Sequence, residues 1–342
     1  MDHRLCGHPR HMGITVAVTG PTGEIGMSAV DALEKDPAVD RILGMARRPF
    51  DTSAHGWTKT EYRQGDILDR DAVEAFVADA DVVVHLAFLI MGSRAESSRI
   101  NLAGTRNVFE ATVAAAKPSR LVYTSSVAAY GYHSDNRVPI TEDTPTRGSK
   151  EHYYSEQKAE LESVLTEVTS GSDLDVFVLR PCIVAGPKAP ALADSMPWRS
   201  FASKLPQPVA AALGAVPLIR PLFPDPGHPL QLVHHDDVAA AIAAAVTTDG
   251  APGAFNIAGD GVVSLSEVAS ALGAQPIRVP SILGSAASAV IRTLPVVPSM
   301  VEWVHVGRTS VVMDTSKAKR ELGWHPRYSS AATLDALVSS LS

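Results

Sequence analysis

Tyr154-Ser155-Glu156-Gln157-Lys158 sets a phenol and an amine four residues apart. On a helix that spacing puts both groups on one face, side by side. A neighbouring ammonium favours the phenolate and lowers the phenol's pKa, so that it can give or take a proton near neutral pH. Many Tyr-x-x-x-Lys pairs are no more than a helix surface, so this one needs company. Thr124-Ser125-Ser126-Val127-Ala128-Ala129-Tyr130-Gly131 follows the apolar run Arg120-Leu121-Val122-Tyr123 and offers hydroxyls. A serine there can hydrogen-bond a carbonyl or alcohol oxygen; the plain alternative is a polar loop closing a strand. Thr19-Gly20-Pro21-Thr22-Gly23-Glu24-Ile25-Gly26 places three glycines three apart, directly after the apolar run Ile14-Thr15-Val16-Ala17-Val18. A glycine inside a helix costs about 1 kcal/mol against alanine. Three of them call for either a tight turn or the close approach of a phosphate to the backbone.

The elements that must position these groups follow from the apolar pattern. Strand-like runs lie at 16–18, 41–45, 61–64, 81–87, 120–125 and 175–180. Amphipathic helical stretches at 25–34, 69–78 and 100–116 separate them. Near-continuous Val/Ile/Leu strands alternating with helices predict an α/β fold, a doubly wound parallel sheet covered on both faces. After Pro181 prolines crowd as far as Pro229, with a short helical piece at 198–205, and then strand-like Leu230-Gln231-Leu232-Val233 and Phe255-Asn256-Ile257 return. Ser264-Leu265-Ser266-Glu267 reads as a capping box opening a helix to Leu272. The expected division is a tail over 1–11 without fixed structure, a nucleotide-binding domain over 12–180 with returning segments near 230–258 and 308–315, and a smaller interleaved substrate lobe over 181–229 and 259–342.

In this setting the glycines occupy the first strand-to-helix turn. Backbone N–H groups and the positive end of the helix converge there, and the absence of side chains leaves room for a pyrophosphate. About twenty residues later an acidic residue ordinarily holds the ribose 2'-hydroxyl of NAD. Here the second strand ends in Ala46-Arg47-Arg48. Two guanidinium groups suit a 2'-phosphate, which a carboxylate would repel, and favour NADP over NAD; the alternative is a solvated loop edge.

Composition limits the partners. The chain has 342 residues, 45% of them hydrophobic and 20% charged, with a formal net charge of -7. That balance gives no electrostatic reason to expect nucleic acid. Its two cysteines, Cys6 and Cys182, are far apart, which fits a reducing compartment and a cytoplasmic protein better than a disulfide scaffold. The first eleven residues lack the apolar core of a secretory signal. The longest apolar stretches, 208–219 and 279–291, are too short to span a bilayer.

Together the glycine turn, the serine loop and the Tyr/Lys pair resemble the extended short-chain dehydrogenase/reductases of the epimerase/dehydratase type. The resemblance extends to Gly65-Asp66-Ile67, Val84-His85-Leu86-Ala87, Asn101-Leu102-Ala103-Gly104-Thr105, Leu179-Arg180-Pro181, His234-His235-Asp236-Asp237-Val238 and, near the end, Asp314-Thr315-Ser316-Lys317 with Glu321-Leu322-Gly323-Trp324. It implies a Rossmann-type fold and a catalytic Ser126, Tyr154 and Lys158. In that mechanism Tyr154 moves the hydroxyl proton, Ser126 orients the oxygen, and Lys158 binds the nicotinamide ribose and tunes the phenol. It implies cofactor contacts from Gly20, Thr22, Gly23, Glu24, Ile25 and Gly26 in the turn, and from Arg47 and Arg48 after the second strand. Asp66 and Ile67 would lie at the adenine; Leu86, Ala87, Asn101 and Pro181, besides Tyr154 and Lys158, complete the set. His85 and the His234–Asp237 run, which could pass for a metal set or a triad, read as structural, and no metal is expected.

Two departures bear on the substrate. Sugar-nucleotide members commonly carry an asparagine after the sixth strand, where this chain has Ile183 within Arg180-Pro181-Cys182-Ile183-Val184-Ala185-Gly186-Pro187. Many also carry an Arg-x-x-Asp pair near the tail, whereas Val304-His305-Val306-Gly307 lacks it and Arg308 follows. The stretches 209–218 and 282–297 are apolar. These features favour a net oxidoreductase acting on a carbonyl or secondary alcohol, a hydrophobic one. The rival is a nucleotide-sugar epimerase or dehydratase of the UDP-glucose 4-epimerase kind, which returns the hydride to its substrate. A non-catalytic NADP-sensing protein is a third reading, opposed by the presence together of Ser126, Tyr154 and Lys158. A homodimer is expected only by analogy.

Overall fold

The computed structural model describes residues 13–90, 94–196, 221–278 and 309–341. The tail over 1–11, the helical piece at 198–205, the apolar stretches at 208–219 and 279–297, and Val304 to Arg308 lie outside these residues. Seven strands form one parallel sheet: β1 Ile14–Thr19, β2 Val39–Ala46, β3 Thr60–Gln64, β4 Val82–His85, β5 Arg120–Thr124, β6 Asp175–Pro181 and β11 Gly253–Ile257. Their order is β11-β6-β5-β4-β1-β2-β3. The chain thus winds outward from β1 to β3 and returns to place β4 on β1's other side. That reversal opens a crevice beyond the carboxyl ends of β1 and β4, where ligands of doubly wound sheets bind.

Successive strand residues face opposite sides of a sheet, and the core divides accordingly. Val16, Val18, Val84 and Val122 point to one side, where α1 Glu24–Lys35 and, later in the chain, the helix His235–Thr247 cover them. Ala17, Val83, Leu121 and Tyr123 point to the other. There they are covered by α2 Arg70–Val77, by a π turn at Arg99–Gly104 that follows α3 Arg94–Ser98 and leads into α4 Thr105–Ala114, and by α5 Tyr153–Thr169. The periodicity at 100–116 therefore belongs to a longer helical run that starts at Arg94 and is interrupted by the π turn.

A second, smaller core gathers Ala185, Leu192, Met196, Phe223, Leu230, Leu232, Leu265, Val268 and Leu334. It belongs to β7 Ile183–Ala185, α6 Ala191–Asp194, β8 Leu222–Asp225, β9 Pro229–Leu230, β10 Leu232–His234, β12 Val263–Ser264 and β13 Gln275–Arg278. Helix α7 is His235–Thr247, α8 Leu265–Ala271, α9 Ser316–Glu321 and α10 Ser330–Ser340. The capping box at Ser264 and Glu267 opens α8. The run 230–233 is not a strand of the main sheet. Gln231, buried and bonded through its amide to the backbone of Met313, separates β9, which pairs with β12, from β10, which pairs with β7. Helices α1 and α7 meet where Ser28 Oγ lies 2.9 Å from His235 Nδ1, and Lys188 Nζ, between β7 and α6, donates to Asp31 of α1 at 2.6 Å.

Candidate active site

The three glycines do different work. Gly20 has a φ of +74°, and a Cβ there would lie 2.9 Å from the Ala87 backbone. A Cβ on Gly26 would lie 2.0 Å from the Gly20 carbonyl oxygen. Those two glycines are required by the chain's own packing of β1, the β4 loop and α1. Gly23 is not: it has an ordinary φ of -81°, and the nearest atom to a Cβ would be Gly20 O at 3.6 Å. It is the N-cap of α1, and as a glycine it offers no side chain to cap that helix end. Space is thus left free directly before a twelve-residue helix whose N-cap makes no side-chain hydrogen bond to its first N–H groups, a site suited to an anion. Thr22 is half-buried beside it, Glu24 accepts from the Ala191 backbone, and Ile25 packs into the core.

Across the crevice, Leu86 N donates to Thr19 O (3.1 Å) and Ala87 N to Thr19 Oγ1 (3.4 Å). His85 bridges Thr19 Oγ1 at 2.7 Å and Thr105 Oγ1 at 2.9 Å. Burial pushes its imidazole down to about 3, with Lys158 adding to the effect, so it is a neutral strut. Arg47 and Arg48 are exposed after β2. Their loop is anchored from β3, where the Tyr62 hydroxyl donates to Ala46 O (2.8 Å) and Arg48 O, and Gln64 donates to Arg47 O (2.9 Å). Asp66 Oδ1 accepts from Leu68 N (3.0 Å), and Ile67 is buried against Gly104. Pro181 ends β6. Asn101 is turned inward: its amide bonds both backbone groups of Leu89 and the Gln157 side chain. It ties the β4 loop to α5.

Helix α5 is fastened to the segment after β5 by one face. Ser155 Oγ donates to Ala128 O (2.6 Å), Lys158 Nζ to Thr124 O (3.0 Å), and Ser125 Oγ to Glu162 (2.5 Å). Ser126 sits within this seam and caps the short helix Val127–Tyr130, its Oγ accepting from Ala128 N at 3.2 Å. The cap uses a lone pair and leaves the hydroxyl proton for another acceptor. Lys158 is buried with its ammonium 4.0 Å from the centre of the Phe88 ring and 5.9 Å from that of Tyr154. Burial lowers its pKa to about 7, and Glu162 acts in the opposite sense. Tyr154 packs edge-on against Phe88 and His152. Among the described residues, the Thr124 hydroxyl is buried without a hydrogen-bond partner. This buried hydroxyl, on the residue whose carbonyl meets the amine, and the space before α1 that a Cβ on Gly23 would fill, both fit a bound dinucleotide.

The structure therefore gathers the glycine turn, Leu86, Ala87, Ser126, Tyr154 and Lys158 around the ends of β1, β4 and β5, with Arg47, Arg48 and Asp66 at the ends of β2 and β3. Phe88, Gln157 and Glu162 were not singled out by sequence reasoning. Glu162 had a signal, its place four residues after Lys158. His234, His235 and Asp236 have potential ligand atoms within 4.8 Å of one another. Their bonds are those of a helix opening: His234 Nδ1 accepts from Asp236 N, and His235 contacts Ser28 and the Lys188 backbone. Burial pushes the His235 imidazole down to about 4.

Comparison with known proteins finds relatives of the chain as a whole. The model of the NAD dependent epimerase/dehydratase family matches residues 16–258. A Mycobacterium tuberculosis protein of uncharacterized function is 25% identical over 338 residues, covering 96% of this chain and 84% of its own. Human 3 beta-hydroxysteroid dehydrogenase type 7 is 32% identical over 189 residues, which are 49% of this chain and 50% of the human one. The structure of UDP-glucose 4-epimerase from Thermotoga maritima superposes with a TM-score of 0.69 at 19% identity, over 96% of this chain and 98% of that one.

The division of labour among the glycines is testable. Gly23→Ala should change stability by less than about 1 kcal/mol yet weaken dinucleotide binding by about tenfold or more, since the methyl group occupies the space before α1. Gly26→Ala should instead destabilise the fold, by roughly 3 kcal/mol or more. Denaturant unfolding and calorimetric binding separate the two; unchanged affinity in folded Gly23→Ala would contradict the assignment.

Proposed function

The chain belongs to the NAD dependent epimerase/dehydratase family, and from that premise we propose a net oxidoreductase, preferring NADP, that interconverts a hydrophobic secondary alcohol and its ketone. The observation that carries this reading is the seam fixing Ser126 beside the helix of Tyr154 and Lys158 at the crevice of the sheet. When bound, the nicotinamide cofactor supplies hydride donation and acceptance. Tyr154 takes the hydroxyl proton of the alcohol as its carbon gives up hydride, and returns that proton in the reverse direction. The Ser126 hydroxyl donates to the substrate oxygen and fixes its position. Charged Lys158 favours the phenolate form of Tyr154. The exposed guanidinium groups of Arg47 and Arg48 receive the 2'-phosphate.

A hydrophobic substrate is supported by the name of the human relative, a hydroxysteroid dehydrogenase, and by Ile183 where sugar-nucleotide members commonly carry an amide. The nucleotide-sugar epimerase reading draws on the likeness to the Thermotoga maritima enzyme, which at 19% identity speaks to the fold. No helix among the described residues is long and apolar enough to cross a membrane; a cytoplasmic homodimer completes the reading.

Two variants test it. Arg47→Ala combined with Arg48→Ala should weaken NADPH binding by tenfold or more, about 1.4 kcal/mol or more, and NADH binding far less; equal losses would reject the 2'-phosphate assignment. Tyr154→Phe should cut turnover on whichever ketone or alcohol a screen identifies by a factor of about 100 to 10,000, with cofactor affinity nearly unchanged. Turnover at the unmodified rate would remove Tyr154 from the mechanism.

A further inference from the structure

Glu162 lies one turn beyond Lys158 on α5 and is buried. Both its oxygens are taken: Oε1 accepts from Ser125 Oγ (2.5 Å) and Arg180 Nε (3.0 Å), and Oε2 accepts from Arg180 Nη2 (2.6 Å). Arg180 in turn donates through Nη1 to the Tyr130 hydroxyl (2.8 Å), which donates to Asn256 Oδ1 (2.7 Å). The Asn256 amide donates to Ile140 O and Asp314 O. A buried ion pair of this kind gives little net stability, because desolvating both charges offsets their attraction, and well-packed apolar residues can replace such a pair without loss. Its location suggests a different use. Three residues of α5, Ser155, Lys158 and Glu162, grip the segment 124–128, and only Glu162 among them carries negative charge.

We infer that Glu162 is a positioning residue for the reacting pair: clamped by Arg180 and Ser125, its carboxylate supplies the countercharge that keeps Lys158 a cation beside Tyr154. The inference rests on the reading of Tyr154 and Lys158 given above. Among the described residues, the other titratable groups near the amine do not supply that charge. On β4, His85 is neutral. On β5, burial raises the Tyr123 phenol well above its ordinary value. Tyr154 on the same helix is the group being tuned. Glu162 is the charged neighbour that favours the protonated amine against burial.

The test is a titration of Lys158 by NMR in the intact chain labelled with carbon-13 at lysine Cε, the signal being assigned by its loss in Lys158→Arg. The wild-type midpoint should lie near 7. In Glu162→Gln it should fall by about one unit or more. Since that variant leaves the buried Arg180 without its countercharge, Glu162→Gln with Arg180→Met provides a second case with no unpaired buried charge, and its midpoint should fall too. Circular dichroism establishes which variants are folded; an unfolded chain titrates near the ordinary lysine value of about 10.4, and the double variant then decides. An unchanged midpoint in a folded variant overturns the inference. The titration uses neither substrate nor cofactor. Failure of the catalytic reading, seen as turnover by Tyr154→Phe, is therefore distinguishable from failure of this one.

Discussion

Burying an amine removes the water that stabilises its charge, and most of the site is arranged around the buried Lys158. Water is replaced by the face of Phe88 and the carbonyl of Thr124, and the carboxylate of Glu162 acts on the amine through its charge. Each replacement has its own support. Phe88 sits on the loop after β4, which Asn101 holds to the backbone of Leu89 while also meeting Gln157 on α5. Glu162 is held by Arg180 at the end of β6 and by Ser125 at the end of β5. The consequence is that three neighbouring strand ends and one helix share a fixed geometry, and Ser126 and Tyr154 inherit it.

The same polar chain reaches far along the sequence. Arg180, Tyr130 and Asn256 connect β6 to β11 and to the backbone at Ile140 and Asp314. The seventh strand and a segment near the carboxyl end are thereby tied to the centre of the sheet through buried hydrogen bonds, each worth little net but costly to leave unmade. At the other side of the crevice the economy is different. Gly20 and Gly26 let backbone pack on backbone, whereas Gly23 leaves room where the packing does not need it. A site that stays open in the free protein contrasts with one closed by its own side chains.

Much of this was legible in the sequence, for physical reasons. Buried parallel strands are short and continuously apolar, so Val82–His85 and Arg120–Thr124 stood out, and the capping box at Ser264 announced its helix. The glycine turn and the Tyr/Lys spacing are local patterns with local causes. What escaped was set by long-range packing. The π turn at Arg99–Gly104 interrupts an otherwise helical period, and Asn101 there faces inward to Leu89 and Gln157. The run 230–233 reads as one strand but splits at Gln231, whose amide is claimed by Met313, 82 residues away. Phe88 and Gln157 have no pattern of their own, and their roles appear only when β4 and α5 are brought together.

The most direct measurement is to denature freshly purified protein and identify and count any released nucleotide by mass spectrometry. An enzyme that exchanges its cofactor with every net oxidation or reduction, and that binds the 2'-phosphate through Arg47 and Arg48, should release little nucleotide. What it does release should be NADP or NADPH, and the emptied site should bind NADPH reversibly. One equivalent of NAD or NADH per chain would contradict the account and point to an enzyme that regenerates its cofactor within each turnover, as an epimerase or dehydratase does.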